Sequence, residues 1–288
     1  MKEVVVLSGK GGTGKTSIVG AFAALAKQKV LSDCDVDAAD LHLLLSPTVV
    51  EEHEFWSGQV AVIDPSKCTR CGLCQEACRF DAIHEFEVGR VGCEGCGLCA
   101  RICPVGAIKM RENLAGHWYV SATRFGPLVH ARLGIAQENS GKLVHLVRQK
   151  AKELAEMKGL ELTINDGPPG IGCAVISSLS GASLACIVTE PSLSGIHDME
   201  RVLQVCRHFG VPTQVVVNKF DINDDGTRQI ETYCATQEVE VVARIPFDTK
   251  VTEAQVQGVS IVEYTDEPRL VGPVYQAWDA VSKRICAS

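Results

Sequence analysis

Eight of the chain's 14 cysteines fall between Cys68 and Cys103. They form two copies of one frame, C-x2-C-G-L-C-x3-C-x3-A-I, as CTRCGLCQEACRFDAI from Cys68 and CEGCGLCARICPVGAI from Cys93, offset by 25 residues. Three thiolates in a C-x2-C-x2-C loop wrap three corners of a cuboidal iron-sulfur cluster, and the fourth ligand comes from the other repeat. On that spacing one 4Fe-4S cluster takes Cys68, Cys71, Cys74 and Cys103, and a second takes Cys93, Cys96, Cys99 and Cys78. Zinc is the rival metal, yet its cysteine pairs usually stand about a dozen residues or more apart. Two clusters close together suit an electron relay, whereas one suffices as a structural staple. No secretory signal is visible at the start, so the cysteines are expected to serve metal or redox chemistry in a cytoplasmic setting and not a disulfide scaffold.

A second set of residues could handle phosphate. Gly9-Lys10-Gly11-Gly12-Thr13-Gly14-Lys15-Thr16, continuing to Ser17, fits G-x-x-x-x-G-K-[ST] between an expected strand and an expected helix. Its glycines let backbone N–H groups approach phosphate oxygens, Lys15 neutralises their charge, and Thr16 offers a hydroxyl to magnesium. The general motif does not require Lys10, which the residues alone leave open between a second phosphate cation and a solvated surface lysine. Asp33, Asp35, Asp37 and Asp40 follow the second expected strand, and Asp166 ends the run ELTIND ahead of Gly167-Pro168-Pro169-Gly170. Carboxylates at strand C-termini can hold the magnesium water shell and orient an attacking water. Asp33, Asp35 and Asp166 suit that role, while Asp37 and Asp40 read better as caps of a helix from Ala38 to Leu45.

These groups need elements to carry them. Apolar, β-branched runs at Glu3–Leu7, Val30–Asp33, Leu160–Asn165, Ala185–Thr189, Gln214–Asn218 and Val239–Ile245 are expected strands. Helical patterns occupy Lys15–Lys27, Lys142–Met157, Ile196–His208 with Ser194 as cap, and Thr227–Thr236. The alternation implies an α/β fold, a mainly parallel sheet with helices on both faces. It breaks between about Ser46 and Gly116, so the cysteine repeats read as an inserted small α+β domain; Trp118–Val120 and Leu128–Leu133 then rejoin the sheet. The expected boundaries are 1–59 and 113–288 for the two parts of the host domain and 60–112 for the insertion. From Pro268 to Ala287, Leu270, Val274, Trp278, Val281 and Ile285 recur at helical spacing, the pattern of a core-packing helix. The net charge of -7 disfavours a nucleic-acid surface, and no run is long enough for stable membrane insertion.

Together, the loop with its extra Lys10, Asp33, Asp35, Asp166 and the segment VVVNKFD resemble the deviant Walker A ATPases. That group includes the MinD-type positioning ATPases, the chromosome-partition ATPases, the Mrp-type iron-sulfur carriers and the nitrogenase iron protein. The resemblance implies binding of ATP or ADP with Mg2+ and an ATP-dependent homodimer in which Lys10 reaches the partner's phosphates. It implies further that Asp35 activates water, that Asp33 and Asp166 serve the outer magnesium sphere, and that Asn218 contacts adenine. Pro246 and Phe247, in IPFD, match the other adenine-side loop. The cysteine frame resembles the bacterial two-cluster ferredoxins, with Pro104 in the second copy but Arg79 where the first usually has proline. ATPase and insertion together are similar to MinD-superfamily ATPases carrying an inserted ferredoxin domain, as are the segments ENSGKLV from Glu138 and TEPSLSGIHDMERV from Thr189.

The leading expectation is a slow, partner-stimulated ATPase whose nucleotide state gates electron transfer or docking toward an unidentified redox or iron-sulfur partner. The alternatives are an iron-sulfur cluster or metallocofactor carrier and a MinD-like positioning ATPase. Cys173 lies seven residues beyond Asp166, the spacing of a bridging-cluster cysteine in the nitrogenase iron protein, and is weighed between a nucleotide-responsive position on a dimer axis and an inert packed thiol. Cys34, Cys186, Cys206, Cys234 and Cys286 are expected in the core.

Overall fold

The computed structural model describes residues 1–89, 91–134 and 140–287. Glu138 and Asn139, which open the ENSGKLV segment, lie outside them. Eleven strands are present among the described residues: β1 (Lys2–Ser8), β2 (Lys29–Asp33), β3 (Thr48–Ile63), β4 (Ile83–His84), β5 (Glu87–Val88), β6 (Ile108–Thr123), β7 (Gly126–Leu133), β8 (Leu162–Pro169), β9 (Leu184–Thr189), β10 (Thr213–Asn218) and β11 (Glu240–Ile245). Nine form one sheet in the order β11-β10-β9-β1-β8-β2-β7-β6-β3, and β4 pairs with β5 alone. From β11 to β7 every neighbouring pair is parallel. The expected mainly parallel α/β sheet is therefore the observed one.

The run Val4-Val5-Val6-Leu7 shows why the sheet is covered on both sides. Alternate side chains of a strand face opposite ways, and all four are fully buried. Val4 and Val6 join an apolar cluster with Leu31 of β2, Phe22 of the helix Lys15–Leu25, and Val274 and Val281 of the C-terminal helix Pro268–Ala287. Val5 and Leu7 join another with Leu179, Met199, Val202 and Ile230, from the helices Cys173–Leu179, Leu193–His208 and Asp224–Thr236. Phe22 sits 5.2 Å from Trp278, ring centroid to centroid. Removing that ring would cost about 3–5 kcal/mol, as other buried aromatics do.

Several elements differ from the sequence expectation. The capping side chain of the helix Leu193–His208 is Ser192, which accepts from Gly195 N–H at 3.1 Å; Ser194 lies within the first turn. The helix before residue 46 covers only Leu41–Leu45; Asp40 holds its N-cap position without a side-chain cap bond, Asp37 lies outside it, both are exposed, and Asp33 accepts the Leu41 N–H. Trp118–Val120 is a fragment of the long β6. Cys286 is exposed, because it falls one step past Ile285 and so off the buried stripe of its helix; Cys34, Cys186, Cys206 and Cys234 are buried as expected.

The chain divides into two compact units: one of Met1–Glu52, Trp118–Arg132 and Ser140–Ser288, the other of His53–His117 with the stretch beginning at Leu133. The sequence boundaries 60 and 112 fall inside the second. That unit has its own small apolar centre of Ala61, Cys74, Ile83 and Ile108, against which Cys78, Cys93, Cys99 and Cys103 pack.

Candidate functional site

The phosphate loop leaves the C-terminal end of the central strand β1. Gly9 has no room for a Cβ, which would lie 2.6 Å from the Asp198 carbonyl carbon. Gly12 and Gly14 take φ of +79° and +91°, a region L side chains rarely adopt. A Cβ on Gly14 would also strike the Asn218 side chain, whereas one on Gly11 or Gly12 would meet nothing within 4 Å. The loop is thus fastened underneath and open above. Gly14 opens the helix Lys15–Leu25 without a side-chain cap, and no acidic residue stands in its first turn. Its N-terminal N–H groups and positive dipole end remain available to an anion.

Beneath the loop the sheet register sets Asp33 on β2 beside Asp166 on β8, and Val6 of β1 on the other side of Asp166. Lys15, nearly buried, donates to Asp166 Oδ1 at 2.5 Å and stands 3.7 Å from Asp35 Oδ2. Burial works against its charge, but the Asp166 carboxylate prevails and holds the ammonium pKa above its usual value. Asp33 has no solvent exposure and accepts N–H groups from Asp35 at 3.1 Å and Leu41 at 3.2 Å, so it ties the segment after β2 into place. Burial, with Asp166 adding, keeps the Asp33 carboxyl well above the ordinary range. Asp35 is pushed up to about 6, chiefly by burial and further by Asp166, with Lys15 opposing. A carboxylate that titrates near neutrality can take a proton from water and return it.

A cleft of about 560 Å³ opens over these groups, lined among others by Gly11–Ser17, Asp35, Asn218, Pro246 and Phe247. That volume falls in the usual range of about 300–1,000 Å³ for small-molecule sites. Gly9, Lys10, Asp33 and Asp166 are not on its wall: Asp33 and Asp166 lie below, and Lys10 turns away. Lys10 Nζ pairs with Glu190 Oε1 at 2.7 Å and meets Ser192 Oγ at 3.0 Å and Ser194 Oγ at 2.9 Å. Asn218 Nδ2 donates to Thr13 O at 2.7 Å. The Thr13 hydroxyl is buried without a partner among the described residues.

Residues that sequence reasoning missed complete the cleft. Lys219 bridges Glu190 Oε2 at 2.8 Å and Gly12 O at 2.9 Å, and Gln255 Nε2 donates to Ser17 Oγ at 2.6 Å. Glu190 and Lys219 stood inside quoted segments, TEPSLSG and NKFD. Nothing in the spacing of Gln255 ties it to Ser17.

The cysteines gather as two quartets. One hollow is lined by Cys68, Cys71, Cys74 and Cys103, the other by Cys78, Cys93, Cys96 and Cys99, each with one cysteine from the opposite repeat. The shared C-x3-A-I ending has a local reason. Ala82 N–H points to Cys78 Sγ at 3.4 Å and Ala107 N–H to Cys103 Sγ at 3.3 Å, while Ile83 and Ile108 fill the unit's apolar centre. The shared glycines Gly72 and Gly97 take φ of +84° and +73° where each loop turns into a short helix. Thiolates approached by backbone N–H groups inside an apolar wall fit the donor set of iron-sulfur clusters. Among the described residues no three His, Cys, Asp or Glu side chains close on a single metal ion. Burial pushes Cys34, Cys186 and Cys234 up to about 12 and Cys206 to about 11, so these thiols stay protonated and inert. Cys173 is exposed, at the first residue of its helix. No described helix is long and apolar enough to cross a membrane.

Comparison with known proteins meets this geometry at the phosphate end. The family described as the CobQ/CobB/MinD/ParA nucleotide binding domain matches residues 4–261. An uncharacterised protein of Methanocaldococcus jannaschii is 35% identical over 225 residues, covering 77% of this chain and 79% of the relative. An iron-sulfur cluster carrier protein of Pyrococcus horikoshii is 29% identical over 140 residues, covering 43% of this chain and 47% of the carrier. Among solved structures, the septum site-determining protein MinD of Pyrococcus horikoshii, complexed with Mg-ADP, aligns at a TM-score of 0.61 and 18% identity over 98% of this chain and 96% of that one. At that identity the likeness speaks to the fold. A phosphate loop on the central strand of a parallel sheet and a family match spanning residues 4–261 lead to one conclusion: the chain belongs to the CobQ/CobB/MinD/ParA nucleotide-binding family.

Proposed function

We propose that this protein is an ATPase in which the nucleotide state gates electron transfer, or docking of a redox partner, through two 4Fe-4S clusters. The observation that carries the reading is the pairing, in one chain, of a phosphate cleft with two cysteine quartets that each borrow one ligand from the other repeat. In this reading residues 60–112 are an inserted ferredoxin-like domain, and 1–59 with 113–288 are the ATPase. When bound, the clusters would pass single electrons. The chain's own residues do the rest. The loop N–H groups and Lys15 cradle the β- and γ-phosphates, and Thr16 offers its hydroxyl to Mg2+. Asp33 and Asp166 hold the segments around the magnesium water shell, and Asp35 takes the proton of the attacking water. Asn218, Pro246 and Phe247 flank the adenine. The Mg-ADP found in the structurally similar MinD supports nucleotide use at this cleft. Lys10 would leave Glu190 for the phosphates of a second copy, making an ATP-dependent homodimer.

A carrier role is the second reading, favoured by the similarity to iron-sulfur cluster carrier proteins. The quartets weigh against it, because a cluster held by four thiolates is hard to release. Anaerobically purified protein should contain about eight irons and eight sulfides per chain, two clusters' worth, and should release phosphate from ATP. Zinc in place of iron, or nucleotide binding without hydrolysis, would overturn the reading. Ready transfer of the iron to an apo-acceptor would favour the carrier.

A further inference from the structure

The strand β6 belongs to both compact units: it begins at Ile108 in the cysteine unit and ends at Thr123 in the other. Its first residue follows Ala107, whose N–H points to Cys103 Sγ at 3.3 Å. Its last precedes Arg124, in the turn to β7. The Arg124 guanidinium lies over the Phe125 ring, 4.5 Å from its centroid, and grips Glu263 twice, Nε to Oε1 and Nη2 to Oε2, each at 2.8 Å. Nη2 also meets Leu44 O at 2.7 Å and Gly258 O at 3.2 Å. One side chain thus fastens the end of β6 to the helix Leu41–Leu45, to the turn beyond the helix Thr249–Val256, and to the helix Ile261–Tyr264.

Two of these segments wall the nucleotide cleft. Leu43 and Leu44 line it from the first, and Val251, Thr252 and Gln255 from the helix before Gly258. The helix Leu41–Leu45 is held near both ends, at Leu41 N–H by Asp33 at 3.2 Å and at Leu44 O by Arg124. A movement of the segment after Asp33 therefore reaches Arg124 through one short helix, along a contiguous chain of bonds. A planar guanidinium with fixed donor directions cannot follow one acceptor without leaving another. Resting on the gating reading, we propose that Arg124 is the coupling residue between the cleft and the cysteine module: it passes movement of the cleft wall along β6 to the backbone at Ala107 that serves Cys103. Arg124 touches neither nucleotide nor cysteine; it acts by position, and being exposed it can be replaced without opening the core.

The test is amide hydrogen exchange of anaerobically prepared holo-protein, with Mg-ADP and with Mg2+ and a nonhydrolysable ATP analogue, for the wild type, Arg124→Met and Arg244→Met. The last removes an exposed ion pair of the same kind, with Glu231, on β11. In the wild type the amides of Ala107 to Met110 should exchange at rates about fivefold or more apart in the two nucleotide states. Arg124→Met should bring that ratio to about twofold or less, with iron content and ATP affinity kept, and Arg244→Met should behave as wild type. Equal exchange in the wild type, a ratio that survives Arg124→Met, or a ratio lost equally in Arg244→Met would overturn the inference. Loss of iron or of ATP binding in Arg124→Met would overturn it too, by showing the clasp to be merely structural. The gating reading is scored separately: wild-type potentials and transfer rates that differ between the two states alongside equal exchange would sink this inference alone, and identical ones would sink the gating itself.

Discussion

Replacing Lys15 by methionine keeps the length of the side chain and removes only its charge. The ammonium stands 2.5 Å from Asp166 Oδ1 and 3.7 Å from Asp35 Oδ2, over an Asp33 with no solvent exposure. Without it, Asp166 and Asp33 face each other in the interior with no cation between them. Breaking one partner out of a buried pair costs about 3–5 kcal/mol, because the remaining charge keeps its desolvation penalty. The sign of the pH dependence follows. Asp33, which burial already holds well above the ordinary carboxylate range, then loses the cation that opposes that shift, so the folded variant holds more tightly a proton that the unfolded chain releases above about pH 4. The deficit should therefore be small near pH 4.5 and reach full size by pH 8. Urea denaturation of nucleotide-free protein at both pH values measures it. Adding Asp166→Asn to Lys15→Met should recover most of the loss, since it removes both the carboxylate that Lys15 paired and the neighbour that raises Asp33. A single variant as stable as wild type at pH 8, or a deficit equal at both pH values, would refute the electrostatic account of this cluster.

Three further outcomes follow from the cleft and the cysteine quartets. Asp35→Asn should lower ATP turnover by about 10²–10⁴-fold while leaving ATP affinity within a few-fold; phosphate release and nucleotide titration separate the two. In the wild type the base form of Asp35 accumulates as pH rises through about 6, so turnover should climb across that range and flatten above it. Cys78→Ala and Cys103→Ala should each remove about half the iron, and crosswise: Cys78→Ala should abolish the paramagnetic signal of the second repeat's cluster and Cys103→Ala that of the first. Iron analysis with electron paramagnetic resonance checks both.

The parts of the molecule legible in the sequence are those whose reasons are local. The strand Lys2–Ser8 is a β-branched run, the phosphate loop is a contiguous motif, and the cysteine frame repeats itself. Cys186 sits in an apolar run and Cys206 in a helical pattern, and both are buried. Less legible was whatever depended on distant partners. Lys10 and Glu190 are 180 residues apart, and their pairing follows from β1 and β9 lying side by side in the sheet. Gly167-Pro168-Pro169 reads as a turn, yet β8 runs through it. The reason is a close approach: a Cβ on Gly167 would stand 2.5 Å from Leu7 Cδ2 and 2.8 Å from Val6 O, so only glycine lets β8 continue against β1. The strand Thr48–Ile63 escaped notice because it is the last strand of the sheet and mostly exposed, so burial imposes no alternation on its sequence.

The central claim, that the nucleotide cleft governs the cysteine module, has a direct test in a redox titration. Anaerobically prepared holo-protein would be titrated without nucleotide, with Mg-ADP, and with Mg2+ and a nonhydrolysable ATP analogue, the reduced clusters being followed by electron paramagnetic resonance. The account predicts a midpoint potential or a rate of electron transfer to an external acceptor that differs between the ADP and ATP-analogue states. Identical potentials and rates in all three, with nucleotide demonstrably bound, would contradict it.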